Sequence, residues 1–291
     1  MISHTRKLAR ANMIAPLIFI ALLLVAISPA RATDSLPELI RQRLESPYIP
    51  QAETEPLFNA KLMLGVYEEN GFTPIWVNGR NDMKKAYALV NTVGAASEHA
   101  MDPGNYHLSL VSGMLADLSD STVPSRLVDL ELALSDMYLS FAAHSLRGRI
   151  NPNSIDPEWF SNPRDQSLAK MLGSVGDESD VGAQLRSLQP SQQGYLRLKE
   201  ALAHYREIAA NGGWPKVSAG TTLKPGMTDP RVPTVRARLN QPETAGQDAM
   251  LYDEQLQESV KDFQRRHGLE PDAVIGKDTL AMLNLSASQK V

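Results

Sequence analysis

Along most of this chain apolar residues recur at intervals of three and four, and the run from about Ser125 to Arg147 shows it most plainly. Leu127, Leu130, Leu134, Met137 and Phe141 fall at spacings of 3, 4, 3 and 4, the single stripe of an amphipathic helix. Gly148 follows where a left-handed C-cap belongs, and Pro152 prevents continuation. Leu36, Ile40 and Leu44 predict an earlier helix, capped by Asp34 or Ser35 with Pro37 in its first turn. Ala86, Leu89, Val90 and Val93 predict another between Met83 and His99. Gly71-Phe72-Thr73-Pro74-Ile75-Trp76-Val77 breaks the helical pattern and predicts a turn followed by a short extended segment.

Residues 173–191 are rich in Gly, Ser, Asp and Gln and predict a solvated connection with about one helical turn. Next comes a helix expected to turn Tyr195, Leu198, Leu202, Tyr205 and Ile208 inward. Asn211-Gly212-Gly213-Trp214-Pro215 stops it, and a domain boundary is expected between Trp214 and Leu223. Beyond it, Val232, Val235 and Leu239 mark one short helix. Leu256, Val260 and Phe263 mark a second, and Leu280 and Leu283 a third that starts from Gly276. So small a unit buries little apolar surface, and packing against the larger part would help it. Glu98-His99-Ala100-Met101-Asp102-Pro103 echoes Arg266-His267-Gly268-Leu269-Glu270-Pro271, which reads as a shared helix stop.

The first 32 residues read as an export signal. Arg6, Lys7 and Arg10 form a basic n-region, an apolar run of 16 residues spans Met13 to Ser28, and Ala30-Arg31-Ala32 supplies a small-x-small cleavage pattern. That run falls short of the roughly 20 residues of a membrane-spanning helix, so no stable span is expected once the signal is cleaved. Removing its four basic residues from 29 leaves 25 against 33 acidic ones, a formal −8. Such a balance argues against nucleic acid and against anionic lipid surfaces as partners. Cysteine is absent, which removes disulfides, thiolate metal sites and thiol nucleophiles.

No other catalytic or metal-binding pattern takes its place. The six histidines (His4, His99, His107, His144, His204, His267) include no H-x-x-x-H pair, and no cofactor motif is present. His99 and His267 sit where helices end, a position that favours a cation through the helix dipole. Glu98 and Asp102 are the most noticeable carboxylates for a lytic pair, although a solvated helix end explains them more simply.

The C-terminal residues carry a resemblance. Val232, Val235, Arg236 and Leu239, then Val260, Phe263, Gln264, Gly268 and Leu269, then Asp272, Gly276 and Thr279 follow the pattern of the small peptidoglycan-binding domain appended to many wall enzymes. Arg236 stands for its usual Gln and Ala273 for its usual Gly. Most of this signature is structural: Gly268 suits a left-handed helix end, and Asp272 and Thr279 suit turns and caps. The preceding residues resemble the helical scaffold region of large L,D-transpeptidases of Gram-negative bacteria. That likeness rests on Gly71–Trp76, His99–Tyr106, Gly148–Pro152 and above all Tyr205–Pro215 running into Leu223–Val232.

The resemblance implies a mostly α protein: a signal peptide at 1–32, a helical scaffold domain at 33–215 and a small three-helix peptidoglycan-binding-like domain at 216–291. It implies a periplasmic protein with peptidoglycan as partner. In that family a catalytic domain with a His and a Ser-x-Gly-Cys-x-Arg nucleophile motif follows the binding domain. As the sequence stands it holds no Cys, so a non-catalytic wall-binding protein is expected, truncated or lacking that domain. The alternatives are a protein-interaction scaffold for a wall cross-linking enzyme acting in trans, and a lytic peptidoglycan hydrolase. For the ligand, a shallow groove bearing Arg236, Arg238, Tyr252 and Gln264 is expected, with Arg236→Ala weakening binding and sparing the fold.

Overall fold

The structure, a computed structural model, describes residues 35–77, 83–119, 121–150, 167–176, 178–242 and 249–291. The segment read as an export signal and Pro152 lie outside the described residues. The architecture is mostly α, with one hairpin that pairs β1 (Gln51–Ala52) with β2 (Glu55–Pro56). No described helix is long and apolar enough to cross a membrane.

The larger core gathers α1 (Leu36–Leu44), α2 (Ala60–Glu69), α3 (Lys84–Gly94), α4 (Leu108–Ala116), α5 (Pro124–Arg147), α6 (Leu168–Gly173) and α7 (Glu178–Ser187). Helix α5 runs through its centre and touches each of the other six. The predicted stripe of Leu127, Leu130, Leu134, Met137 and Phe141 is wholly buried. The helix is not amphipathic in the usual sense, because Leu132, Leu139, Glu131 and Asp136 on other faces are buried as well. A helix enclosed on all sides must pair its polar groups internally, and α5 does so. Gly148 takes a positive φ of 79° with an extended ψ of 169°, a stop other than the left-handed cap expected.

Glu131 explains a second departure. The extended segment after Pro74 has no strand partner among the described residues. Instead the backbone N–H groups of Ile75, Trp76 and Val77 donate to the Glu131 carboxylate at 2.6, 3.0 and 2.8 Å. Tyr67 Oη donates to the same group at 2.5 Å. Burial raises the Glu131 pKa, and these donors pull it back. Four hydrogen bonds to one buried carboxylate thus replace a sheet edge as the destination of these backbone groups.

Residues 173–191 are more ordered than expected. Their polar composition conceals Val181, Leu185 and Leu188, all buried, and α7 packs along α3. The opposite correction applies to α8 (Gln193–Ala210), which buries no residue and leaves Leu198 71 % exposed. It is a strut. One side rests on the 3-10 turn Ala95–His99, where Tyr195 and Lys199 meet His99 and Arg206 donates to Ser97 O, and the helix also meets the C-terminal helix.

The smaller core comprises α9 (Val232–Arg238), α10 (Glu254–Arg266) and α11 (Lys277–Leu283), tied by bridges pairing Leu223 with Ile275 and Thr228 with Leu251. Val232, Val235, Val260 and Phe263 are buried in it, with Leu239 packed at its edge. A fourth short helix, α12 (Ala287–Lys290), was not anticipated. Ser286 and Gln289 close a capping box at its start, and it lies against α8. The two echoing helix stops share one geometry, with Ala100 and Gly268 left-handed at φ 57° and 65°. Ala273 is also left-handed at φ 61°, where the family pattern has Gly.

Candidate functional site

The four side chains expected in a surface groove are all buried. Gln264 is fully occupied: its Nε2 donates to Asp272 Oδ1 at 2.8 Å and to Val274 O and Thr279 Oγ1, each at 3.2 Å. Its Oε1 accepts from Ala273 N at 2.9 Å. Leu269 N donates to Gln264 O at 2.9 Å, closing the same corner. The signature residues Asp272, Gly276 and Thr279 therefore hold a loop onto α10, with Asp272 accepting from Val274 N at 2.8 Å and Gly276 capping α11. Tyr252 donates to Ala273 O at 2.7 Å across the same core, and burial raises its pKa.

Arg236 is 2 % exposed and ion-paired to Asp253 at 2.6 Å, so it lies inside the smaller core and not in the surface groove expected. Its Nε and Nη1 have no hydrogen-bond partner among the described residues. The physical reason for the burial of Arg236 is spacing. On so short a helix as α9, positions 232, 235, 236 and 239 form one inward face, and the arginine shares it.

Arg238 alone of the four borders an open recess. Its Nε donates to Leu283 O at 2.6 Å, its Nη2 lacks a partner, and its Cζ stands 3.7 Å from the centre of the Trp214 ring. The recess, about 230 Å³, lies where α8 and its following turn meet α9, α10 and α12. Tyr205, Ile208 and Trp214 form one wall, and Arg266, His267 and Lys290 the other. Tyr205 and Trp214 meet edge to face at 5.8 Å, and Lys290 Nζ lies 5.6 Å from the Tyr205 ring centre and 5.7 Å from that of Trp214. His267 stacks on Phe263 at 4.0 Å.

This cleft is rich in cations and holds no acid. None of Arg238, Arg266, His267 and Lys290 makes an ion pair with a described carboxylate, and no Asp or Glu lines the cleft. Asp262, one helical turn before Arg266, pairs with Arg265 instead. Desolvation, Arg238 and Arg266 lower the Lys290 pKa, and desolvation and the same neighbours with Lys290 lower that of His267. Lys290 Nζ approaches His267 Nε2 at 2.8 Å while His267 Nδ1 meets Phe263 O at 2.8 Å, the arrangement of a neutral imidazole. The dipole-stabilised cation expected there is thus replaced by a neutral ring. Burial and Lys199 likewise lower the His99 pKa, against the pull of Glu98.

A larger recess, about 430 Å³, lies between His99, Met101, His144, Arg149 and Tyr195. Its histidines are engaged from within the protein: His144 Nδ1 with Tyr106 Oη at 3.0 Å, His99 Nδ1 with Tyr195 Oη and Nε2 with Lys199 at 3.2 Å. The carboxylates considered for a lytic pair are separately employed, Glu98 with Lys199 at 3.1 Å and Asp102 capping the next turn through Gly104 N at 2.9 Å.

Sequence reasoning missed Tyr205 and Lys290 as cleft residues and treated Trp214 and His267 as punctuation. The available signal was an aromatic directly after two glycines, together with the basic run Arg265-Arg266-His267. Comparison with known families finds two matches: residues 61–202 to the Scaffold domain family, and residues 228–283 to a peptidoglycan binding domain family. No curated protein matches the chain.

Proposed function

We propose that this is an exported peptidoglycan-binding protein of the Gram-negative periplasm, related to L,D-transpeptidases through its scaffold, and that the sequence given is non-catalytic. The observation that carries the reading is the cleft of aromatic faces and unneutralised cations built onto the match to a peptidoglycan binding domain. Flat rings of Trp214 and Tyr205 offer apolar faces to sugar C–H groups, and the cations offer donors to the carboxylates of the wall's peptides. The match to the Scaffold domain supports the transpeptidase relationship. With no Cys, these residues cannot form the thioester acyl-enzyme that cysteine-dependent cross-linking requires.

The test is co-sedimentation of residues 33–291 with purified sacculi. The protein is expected to pellet, to release no muropeptides, and to pellet less after Trp214→Ala. Failure of the parent protein to pellet would overturn the proposal. A second reading, a scaffold that holds a wall enzyme in trans, draws on the exposed Leu196 and Leu198 of α8. Capture of an envelope enzyme without affinity for bare sacculi would favour it.

A further inference from the structure

Resting on that reading, we infer that the cleft between α8 and the smaller core is a carboxylate-recognising subsite: it takes the acidic stem peptide of a muropeptide, and both parts of the chain build it. The reasoning begins with charge. Arg238, Arg266 and Lys290 face one small space from three different helices, and no described carboxylate neutralises them. Like charges held together without an acid destabilise a fold, and an incoming anion relieves that repulsion. Arg238 is 6 % exposed beneath Trp214, and its charge, poorly screened by solvent and paired with no described carboxylate, is one that an anion in the cleft would answer.

Size and shape narrow the ligand. The recess is below the roughly 300–1,000 Å³ of sites that engulf a small molecule, so it accepts part of a polymer. The two aromatic walls suit an adjoining sugar or an apolar peptide methyl, whereas a neutral glycan alone leaves the cations unanswered. A bare acidic peptide leaves the aromatic faces unanswered. A muropeptide, with amino-sugar rings joined to a carboxylate-bearing peptide, satisfies both.

The seam matters equally. Tyr205 and Ile208 belong to α8, and Trp214 to the turn that ends it. Arg238, Arg266, His267 and Lys290 come from α9, α10 and α12. Binding therefore depends on the contact of α12 with α8 as well as on the residues that match the peptidoglycan binding domain family, and four contributors, Tyr205, Ile208, Trp214 and Lys290, lie outside that match.

The experiment uses the full mature chain, residues 33–291, with a soluble disaccharide-tetrapeptide as ligand. The same fragment with its carboxylates amidated, a neutral chito-oligosaccharide and a sugar-free acidic peptide serve as comparison ligands. Calorimetry is expected to show the carboxylated fragment binding at least tenfold tighter than any of the three. Arg266→Gln with Lys290→Gln, folded by circular dichroism, is expected to abolish that preference, and Arg266→Lys with Lys290→Arg to keep most of it. About tenfold per charge is the scale of hydrogen bonds to ionised groups. Equal affinity for the amidated and carboxylated fragments would overturn the inference, and if sacculi still pelleted the protein, peptidoglycan binding itself would stand. A sugar-free acidic peptide binding as tightly would also overturn it, marking a face for acidic proteins.

Discussion

The two cores handle buried charge in opposite ways. In the larger core the buried charges are mainly acids, and other elements answer them in full. Glu131 collects three backbone donors and Tyr67; Asp136 accepts from Asn59 N at 2.6 Å, from its Nδ2 at 2.9 Å and from His107 at 3.0 Å; Asp129 pairs with Arg43. In the smaller core the buried charges are arginines, and they keep unpartnered nitrogens. A fully answered buried charge organises a fold, whereas a partly answered one is left with affinity for something outside it. The first pattern marks a frame, and at Arg238, which borders the cleft, the second fits the proposed subsite.

The sharpest way to break this contrast is Glu131→Ala. It strips the acceptor from three backbone N–H groups and a tyrosine, so a loss of about 3–5 kcal/mol is expected. Differential scanning calorimetry should show the larger core melting roughly 10 °C lower. An unchanged melting point would refute the framing role. Phe263→Ala comes next, with about 3 kcal/mol or more lost from the smaller core alone, since a buried ring is deleted there. Tryptophan fluorescence from Trp214 would follow that local unfolding separately from far-ultraviolet circular dichroism.

Arg236 supplies a finer discrimination. Because its guanidinium is only half answered, Arg236→Met should cost no more than about 1 kcal/mol in urea unfolding, as apolar replacements of imperfect buried ion pairs often do. A loss as large as that for Glu131→Ala would erase the distinction between the cores.

The smallest effect concerns pH. Hydrogen bonds to Asp136, opposed by burial and reinforced by Glu55, raise the His107 pKa. A raised histidine pKa stabilises the fold fully below the unfolded value, near 6.5, and that contribution is lost as pH rises through the folded value. Melting temperatures recorded from about pH 6 upward should therefore fall slightly, and His107→Gln should flatten the trend.

How much of this was legible in the sequence depended on whether the signal was local. The stripe on α5, the cap-rich helix ends and the signature from Val260 to Thr279 reflect spacing within a few residues, and they located the helices and the smaller fold. Glu131 was hidden because its partners lie 54 to 64 residues away and nothing in its neighbourhood marks it as buried. Helix α7 was hidden by composition, its buried Val181 and Leu185, with Leu188 just after them, diluted among Gly, Ser and Asp. Helix α8 misled in the other direction, since its apolar period suggests a core that the chain does not provide. Arg236 and Arg238 were expected in a surface groove, because long polar side chains conceal from sequence whether they reach solvent or fold inward. The cleft could not be read at all in advance, because its walls meet only after α12 packs on α8.

Gly212 and Gly213, with φ of 95° and 78°, place Trp214 over Arg238 without touching that arginine's neighbourhood themselves. A residue with a side chain is strained at either position. The aim of the indole is thus written into two positions that have no side chain, and a mutational survey confined to residues facing the cleft would overlook them. Sequence drift at this elbow would silence the cleft while leaving every one of its lining residues in place, so the glycine pair, more than the tryptophan, is the feature by which a working cleft can be told from a vestigial one.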